Sequence, residues 1–188
     1  NAMRYADSAA GNTVTYNTAL GAYALQGSTT AANNTGINNT AIGHSSLKVN
    51  TSGTNNTGVG QSSLTWNTTG GGNTAVGSQS VQNNTTGSWN TGVGNQALVN
   101  NTSGDYNNAL GNYALQDNTT GSSNTAIGHK VLENNITKQE STAVGYSAME
   151  FADSAAGGAI TYNTALGAYA LRGSTTAANN TGVQNTAI

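Results

Sequence analysis

The sequence predicts an all-β fold, a parallel β-solenoid assembled from short coils. Three observations predict it: a fixed internal period, a restricted residue class at each position within that period, and a composition too poor for a compact core. The pattern Asn-Thr-(Ala/Gly)-(Val/Ile/Leu)-Gly ends at Gly43, Gly60, Gly77, Gly94, Gly111 and Gly128, with Asn108 standing for Thr once. It ends again at Gly145, where Ser141 replaces the leading Asn, and every step is 17 residues. Gly21 and Gly167 flank this block at 22 residues each. A larger repeat is superimposed, since residues 4–42 recur at 150–188 with an offset of 146. Such self-similarity is the mark of a stacked-repeat architecture.

Aligned on the repeat Gly, the positions sort by chemistry. The residue before it is always aliphatic, as in Ile42, Val59, Val76, Val93, Leu110, Ile127 and Val144. Four residues after it is a second apolar column: Leu47, Leu64, Val81, Leu98, Leu115, Leu132 and Met149. Two residues before it only Ala or Gly occurs, as in Ala41, Gly58, Ala75 and Gly92. Seven after it stands Asn, from Asn50 to Asn135, and ten after it Gly, from Gly53 to Gly121, with Lys138 as the exception.

Short Thr- and Val-rich segments bounded by Gly and Asn read as strands between turns. Gly and Asn tolerate the positive φ that a tight corner needs. One coil is then expected to hold two short strands and two corners. Stacking pairs each strand with its copy about 4.8 Å away. Both apolar columns are expected inside as core rungs, and the Asn residues as ladders at the corners.

Side chains alternate along a strand, so the Ala/Gly column faces away from the aliphatic one. Its small residues are read as the place where another chain's backbone approaches closely. The alternative is a coil interior too narrow for anything larger. Two aliphatic side chains per coil contribute little against the entropy of ordering a whole coil. Homo-oligomerisation is the expected supplement.

Composition removes several function classes. Only 6% of residues are charged, with 5 basic and 7 acidic residues scattered singly, and neither Pro nor Cys is present. Ordinary domains carry about 25% charged residues. No basic stripe exists to neutralise phosphates, so nucleic acid is not an expected partner. No apolar run approaches the roughly 20 residues of a membrane span, and direct insertion of this segment is not expected. Asn1-Ala2 is read as a cloning scar, leaving 3–188 as a single solenoid segment.

No enzyme is expected either. His44 and His129 are equivalent positions 85 residues apart, five coils, or about 24 Å along a stack. Asp7 and Asp153 are copies of one position, and the other acidic residues are isolated, so no acid–base pair forms. No Ser has a His and carboxylate beside it, and the Gly-rich stretches lack the strand–loop–helix setting of a phosphate cradle. No catalytic residue, metal ligand or cofactor is therefore expected. The many Asn-x-Thr triplets match glycosylation acceptors, but a repeat made of Asn and Thr generates them by chance.

The aromatic residues are the candidates for surface recognition. Trp89 and Tyr106 each stand five residues before successive repeat Gly residues, and Tyr16 and Tyr162 occupy the same column. They are expected to stack on neighbouring coils. Covering a coil edge or filling a subunit interface is the alternative role. The two longer coils carry their five extra residues within 26–34 and 150–159, and loops projecting from a solenoid often carry function.

Asn-Thr-Ala-Val-Gly, followed by Ala-Leu and Asn-Thr-x-Gly, resembles the YadA-like head repeat of trimeric autotransporter adhesins. The resemblance covers about 19–188, although this unit is longer than that family's usual repeat. It implies a left-handed parallel β-roll packed as a homotrimer, displayed at the bacterial cell surface and anchored to the outer membrane by a region outside this segment. It further implies attachment to host cells or extracellular matrix. Long 17-residue units also resemble repeats in trimeric tail-fibre proteins, so a phage or phage-like fibre shaft is the competing expectation. An ice-binding solenoid would need a flat Thr array, and only one Thr column is visible, interrupted at Asn108. A polysaccharide-cleaving β-helix would need clustered charged residues on one face, which the columns do not supply.

Overall fold

The computed structural model describes residues 2–4, 14–152, 160–176 and 181–188. Among the described residues the chain is all-β apart from one 3-10 turn, Ala31–Asn33. Each coil contributes one strand: β1 Thr18–Leu20, β2 Thr40–Ile42, β3 Thr57–Val59, β4 Thr74–Val76, β5 Thr91–Val93, β6 Asn108–Leu110, β7 Thr125–Ile127, β8 Thr142–Val144, β9 Thr164–Leu166 and β10 Thr186–Ala187. They form a single parallel sheet in sequence order, the arrangement of a β-solenoid. Register follows the repeat without slippage: Thr40 pairs with Thr57, Ala41 with Gly58, and Ile42 with Val59.

The expected second strand per coil is absent among the described residues. The stretch after the repeat Gly is built of turns, and its backbone follows a different rule. Every residue of the leucine column has φ between 46° and 53°, a region that most non-Gly residues avoid. Inter-coil bonding continues there without strand geometry, as Leu47 N–H donates to Ser63 O at 2.9 Å and Leu98 N–H to Ala114 O at 2.9 Å. The repeat Gly residues themselves sit at φ between 126° and 138°. A Cβ at Gly94 would lie 2.6 Å from the Gly111 carbonyl carbon, so coil stacking itself requires Gly.

The core runs down the inside of the coil. Leu47, Leu64, Leu98, Leu115 and Leu132 are fully buried, as expected of core rungs. The other apolar column is not in the core. Ile42, Val76, Leu110 and Ile127 are exposed, and Val59, Val93 and Val144 are half-buried. The Ala/Gly column takes the inward side instead, with Ala41, Ala75, Ala126 and Ala143 at 0% exposure. The reason is width. A Cβ at Gly58 would lie 2.5 Å from Ser46 Oγ and 3.0 Å from Ser63 Oγ, and one at Gly92 would lie 2.5 Å from Val81 Cγ2. The leucine column and its small neighbours fill the interior from the far side, and only Ala or Gly fits opposite. The close approach that restricts this column comes from the coil's own far wall.

Two Asn columns close the corners. From Asn67 to Asn135, each Asn seven residues after the repeat Gly donates Nδ2 to the equivalent Asn of the preceding coil, as Asn84 to Asn67 Oδ1 at 2.7 Å and Asn101 to Asn84 Oδ1 at 2.8 Å. The Asn of the Asn-Thr motif passes its Oδ1 to the backbone N–H of its copy in the next coil. Asn56 accepts from Asn73 N at 2.9 Å, while Asn73 accepts from Asn90 N at 2.9 Å. Both columns donate to one carbonyl, since Gly87 O accepts from Asn84 and from Asn73, each at 2.8 Å. Buried polar groups are thereby satisfied along the rod.

Met3 joins this scheme. Its N–H donates to Ala24 O at 2.9 Å, as Met149 N–H donates to Ala170 O at 3.0 Å. Both residues have φ of 52°.

Candidate interaction surfaces

Two surfaces are built by the columns that face outward. The first is the outer face of the sheet. Each three-residue strand turns its middle residue inward and its two ends outward. Thr18, Thr40, Thr57, Thr74, Thr91, Asn108, Thr125, Thr142, Thr164 and Thr186 therefore run beside the aliphatic column from Leu20 to Leu166. No charged residue lies in either column. Leu110, 51% exposed, stands out from this face. A shallow groove of about 280 Å³ lies over it, lined by Thr91, Val93, Asn108, Ala109, Leu110 and Ile127.

The second surface is the corner that precedes each strand. Trp89 and Tyr106 occupy it in successive coils, each 58% exposed. Their rings are not paired with each other, in contrast to the stacking the sequence suggests. Trp89 instead packs over Gly72, the member of its column one coil earlier. A Cβ at Gly72 would meet Trp89 Cε3 at 2.5 Å. Beside these rings runs a short polar ladder. Gly71 N–H donates to Ser88 Oγ at 3.2 Å, Ser88 N–H to Asp105 Oδ1 at 2.7 Å, and Asp105 N–H to Ser122 Oγ at 3.0 Å. Tyr16 and Tyr162 are exposed in the same column, and Trp66 is exposed on another corner.

A third cluster was visible in the sequence only as variation beside the repeat Gly. Tyr113 meets His129 edge-on at 5.7 Å, His129 stacks on Tyr146 at 5.4 Å, and Tyr146 meets Tyr169 at 5.3 Å. Cations cover both ends, Lys130 over Tyr113 and Arg172 over Tyr169 and Phe151. Each cation also has a carboxylate, Glu133 for Lys130 and Glu150 for Arg172. The hydrogen bond from Lys130 to Glu133, and then the charge of Glu133, raise the Lys130 pKa above its ordinary value. Adding the residues just after each repeat Gly to the alignment would have shown this strip. His44 stands apart from it, edge-on to Tyr23 at 5.7 Å.

Among the described residues no group of three or more His, Asp or Glu side chains could hold a metal ion. The triplet acceptors Asn67, Asn84, Asn101 and Asn118 are fully buried with their amides engaged in the ladder, so those sites are closed to glycosylation. In the first long coil Asn34 clamps Ser28, accepting from its N–H at 2.8 Å and donating to its carbonyl at 2.7 Å. The second long coil lies partly outside the described residues, as do Asp7 and Asp153. No family model matches the chain, and neither a curated protein nor a solved structure shows significant similarity to it.

Proposed function

We propose that the chain is a rod-forming head segment of a homotrimeric, surface-displayed adhesin, with the Thr–aliphatic faces of three copies packed about a common axis. The observation that carries this is the aliphatic column standing outside the coil. A continuous apolar stripe of this length on a soluble surface marks a protein interface, and the absence of charge along it suits burial. Burying it adds apolar area that a single coil stack lacks. The three-fold packing and the left-handed roll come from the resemblance to YadA-like heads. Function is display. A stiff rod presents the corner surfaces repeatedly, and weak contacts with host cells or extracellular matrix add through multivalency.

Light scattering tests the reading. The wild-type chain is expected at three times 18.8 kDa. Leu110→Asp should place a charge in each of three equivalent positions and return the mass to that of one chain with its circular dichroism intact. A monomeric wild type would defeat the proposal.

A further inference from the structure

We infer that Trp89 and Tyr106 form a stacking platform for a neutral β-linked glycan, which packs the flat C–H faces of its pyranose rings on the aromatics and turns hydroxyls toward Asp105. This deepens the display reading and rests on it for biological use, whereas the binding chemistry belongs to one chain.

The platform is recognised from how Trp89 is held. The three atoms nearest a Cβ at Gly72 are Cε3 at 2.5 Å and its two ring neighbours, Cζ3 at 2.8 Å and Cδ2 at 2.9 Å. An approach in the ring plane would leave those neighbours much farther away than the first atom. The contact is therefore face-on: one face of the indole's benzene ring lies over Gly72, and the residue as a whole remains 58% exposed. Gly is not required at that position by the backbone. Its φ of 70° is close to the 58° of Asn55 and the 57° of Tyr106 in the same column. What requires Gly is the space under the ring. An exposed aromatic laid flat on a cleared backbone offers its whole π-face to a ligand.

Tyr106 follows one coil along, and coils stack at about 4.8 Å, comparable with the advance of one pyranose in an extended glycan. Asp105, next to Tyr106 in the same coil, is held by its bonds to Ser88 in the Trp89 coil and Ser122 in the coil beyond. Its second carboxylate oxygen has no protein hydrogen bond among the described residues and can accept from a sugar hydroxyl. Charge decides the ligand class. Between Lys48 and Lys130 the chain has no Lys or Arg, while Asp105 and Asp117 are present. An anionic glycan would find a carboxylate and no cation, so a neutral one fits.

The test is titration of the full chain with cellohexaose, followed by tryptophan fluorescence and calorimetry, with hexagalacturonate as the anionic comparison. Saturable binding is expected with cellohexaose and not with hexagalacturonate. Trp66→Phe should leave it unchanged, and Trp89→Ala and Tyr106→Ala should each weaken it about tenfold. Gly72→Ala is the sharper variant, because it lifts the ring while keeping the indole, and it should weaken binding to a similar extent. The inference is overturned if the wild type does not bind cellohexaose, or if Trp89→Ala and Gly72→Ala both bind as the wild type does. Light scattering on the same samples separates the two proposals. Binding by a monomer would sink the trimer alone, and a trimer that does not bind would sink the platform alone.

Discussion

At the residue scale, stability rests on small residues and buried amides beside a single column of large apolar side chains. Asn84 illustrates this: it is fully buried, donates to Asn67 Oδ1 and Gly87 O, and accepts from Asn101 Nδ2. Asn84→Ala would strand those partners in the interior. We expect a loss of about 1–3 kcal/mol, read as a lower denaturation midpoint with unchanged slope. Ala75 tests the inward column. Ala75→Leu forces a large side chain into a coil wall with no room and should cost about 1–3 kcal/mol or more. Gln79→Leu, on the half-buried outer side, removes the bond that its Oε1 accepts from Gln96 Nε2 at 2.7 Å and should cost less, about 0.5–1 kcal/mol. Equal midpoints for the two variants would contradict the inward placement of Ala75. Identifying Ala/Gly restriction required only the alignment. Assigning it to the coil interior required the positions of Ser46, Ser63 and Val81 on the opposite wall.

At the element scale, the coils are near copies, and their differences show which features the stack needs. Among the 17-residue coils, the one from Gly128 to Gly145 departs most. Lys138 replaces the corner Gly, where a Cβ at Gly87 would lie 2.5 Å from both Gly104 O and Asn84 Oδ1. Its ladder is looser: Asn135 reaches Asn118 Oδ1 and Lys138 O at 3.3 Å each, against 2.7 Å and 2.8 Å for Asn84. Both buried polar atoms that lack a partner among the described residues, His129 Nδ1 and Thr137 Oγ1, belong to this coil. Locally weak hydrogen bonding lowers the cost of opening. Backbone amides of residues 135–141 should therefore exchange faster than those of 84–90, and Lys138→Gly should slow them. Hydrogen-exchange mass spectrometry decides this, and equal protection in the two coils would show that the stack tolerates Lys138 without loosening. The departure itself was legible as the single Lys in a Gly column. Its consequence was not, because it depends on how closely successive carbonyls stack.

At the scale of the whole molecule, the rod is a one-dimensional array in which each coil contacts its neighbours. Contacts are confined accordingly, with each strand bonded only to those before and after it. Removing residues 78–94, one whole coil, should leave a folded, shorter rod with the same circular dichroism. Removing 78–93 instead leaves one 18-residue coil at the junction, while the coils beyond it stay in phase with one another as they do past the 22-residue coils, so that coil alone should loosen and exchange its amides faster. A shared outcome for the two deletions would show that coil length does not govern stacking. The sequence by itself determined the period, the parallel in-register sheet, the buried leucine column and the Asn ladders, because each follows from identical residues falling opposite one another when equal coils stack. The tertiary structure decided which side of the strand is inside. Alternation states only that Ala75 and Val76 point opposite ways, and hydrophobicity would send the valine inward. The interior is already filled by the leucine column from the opposite wall, so the smaller side chain goes in and the aliphatic one is left on the surface.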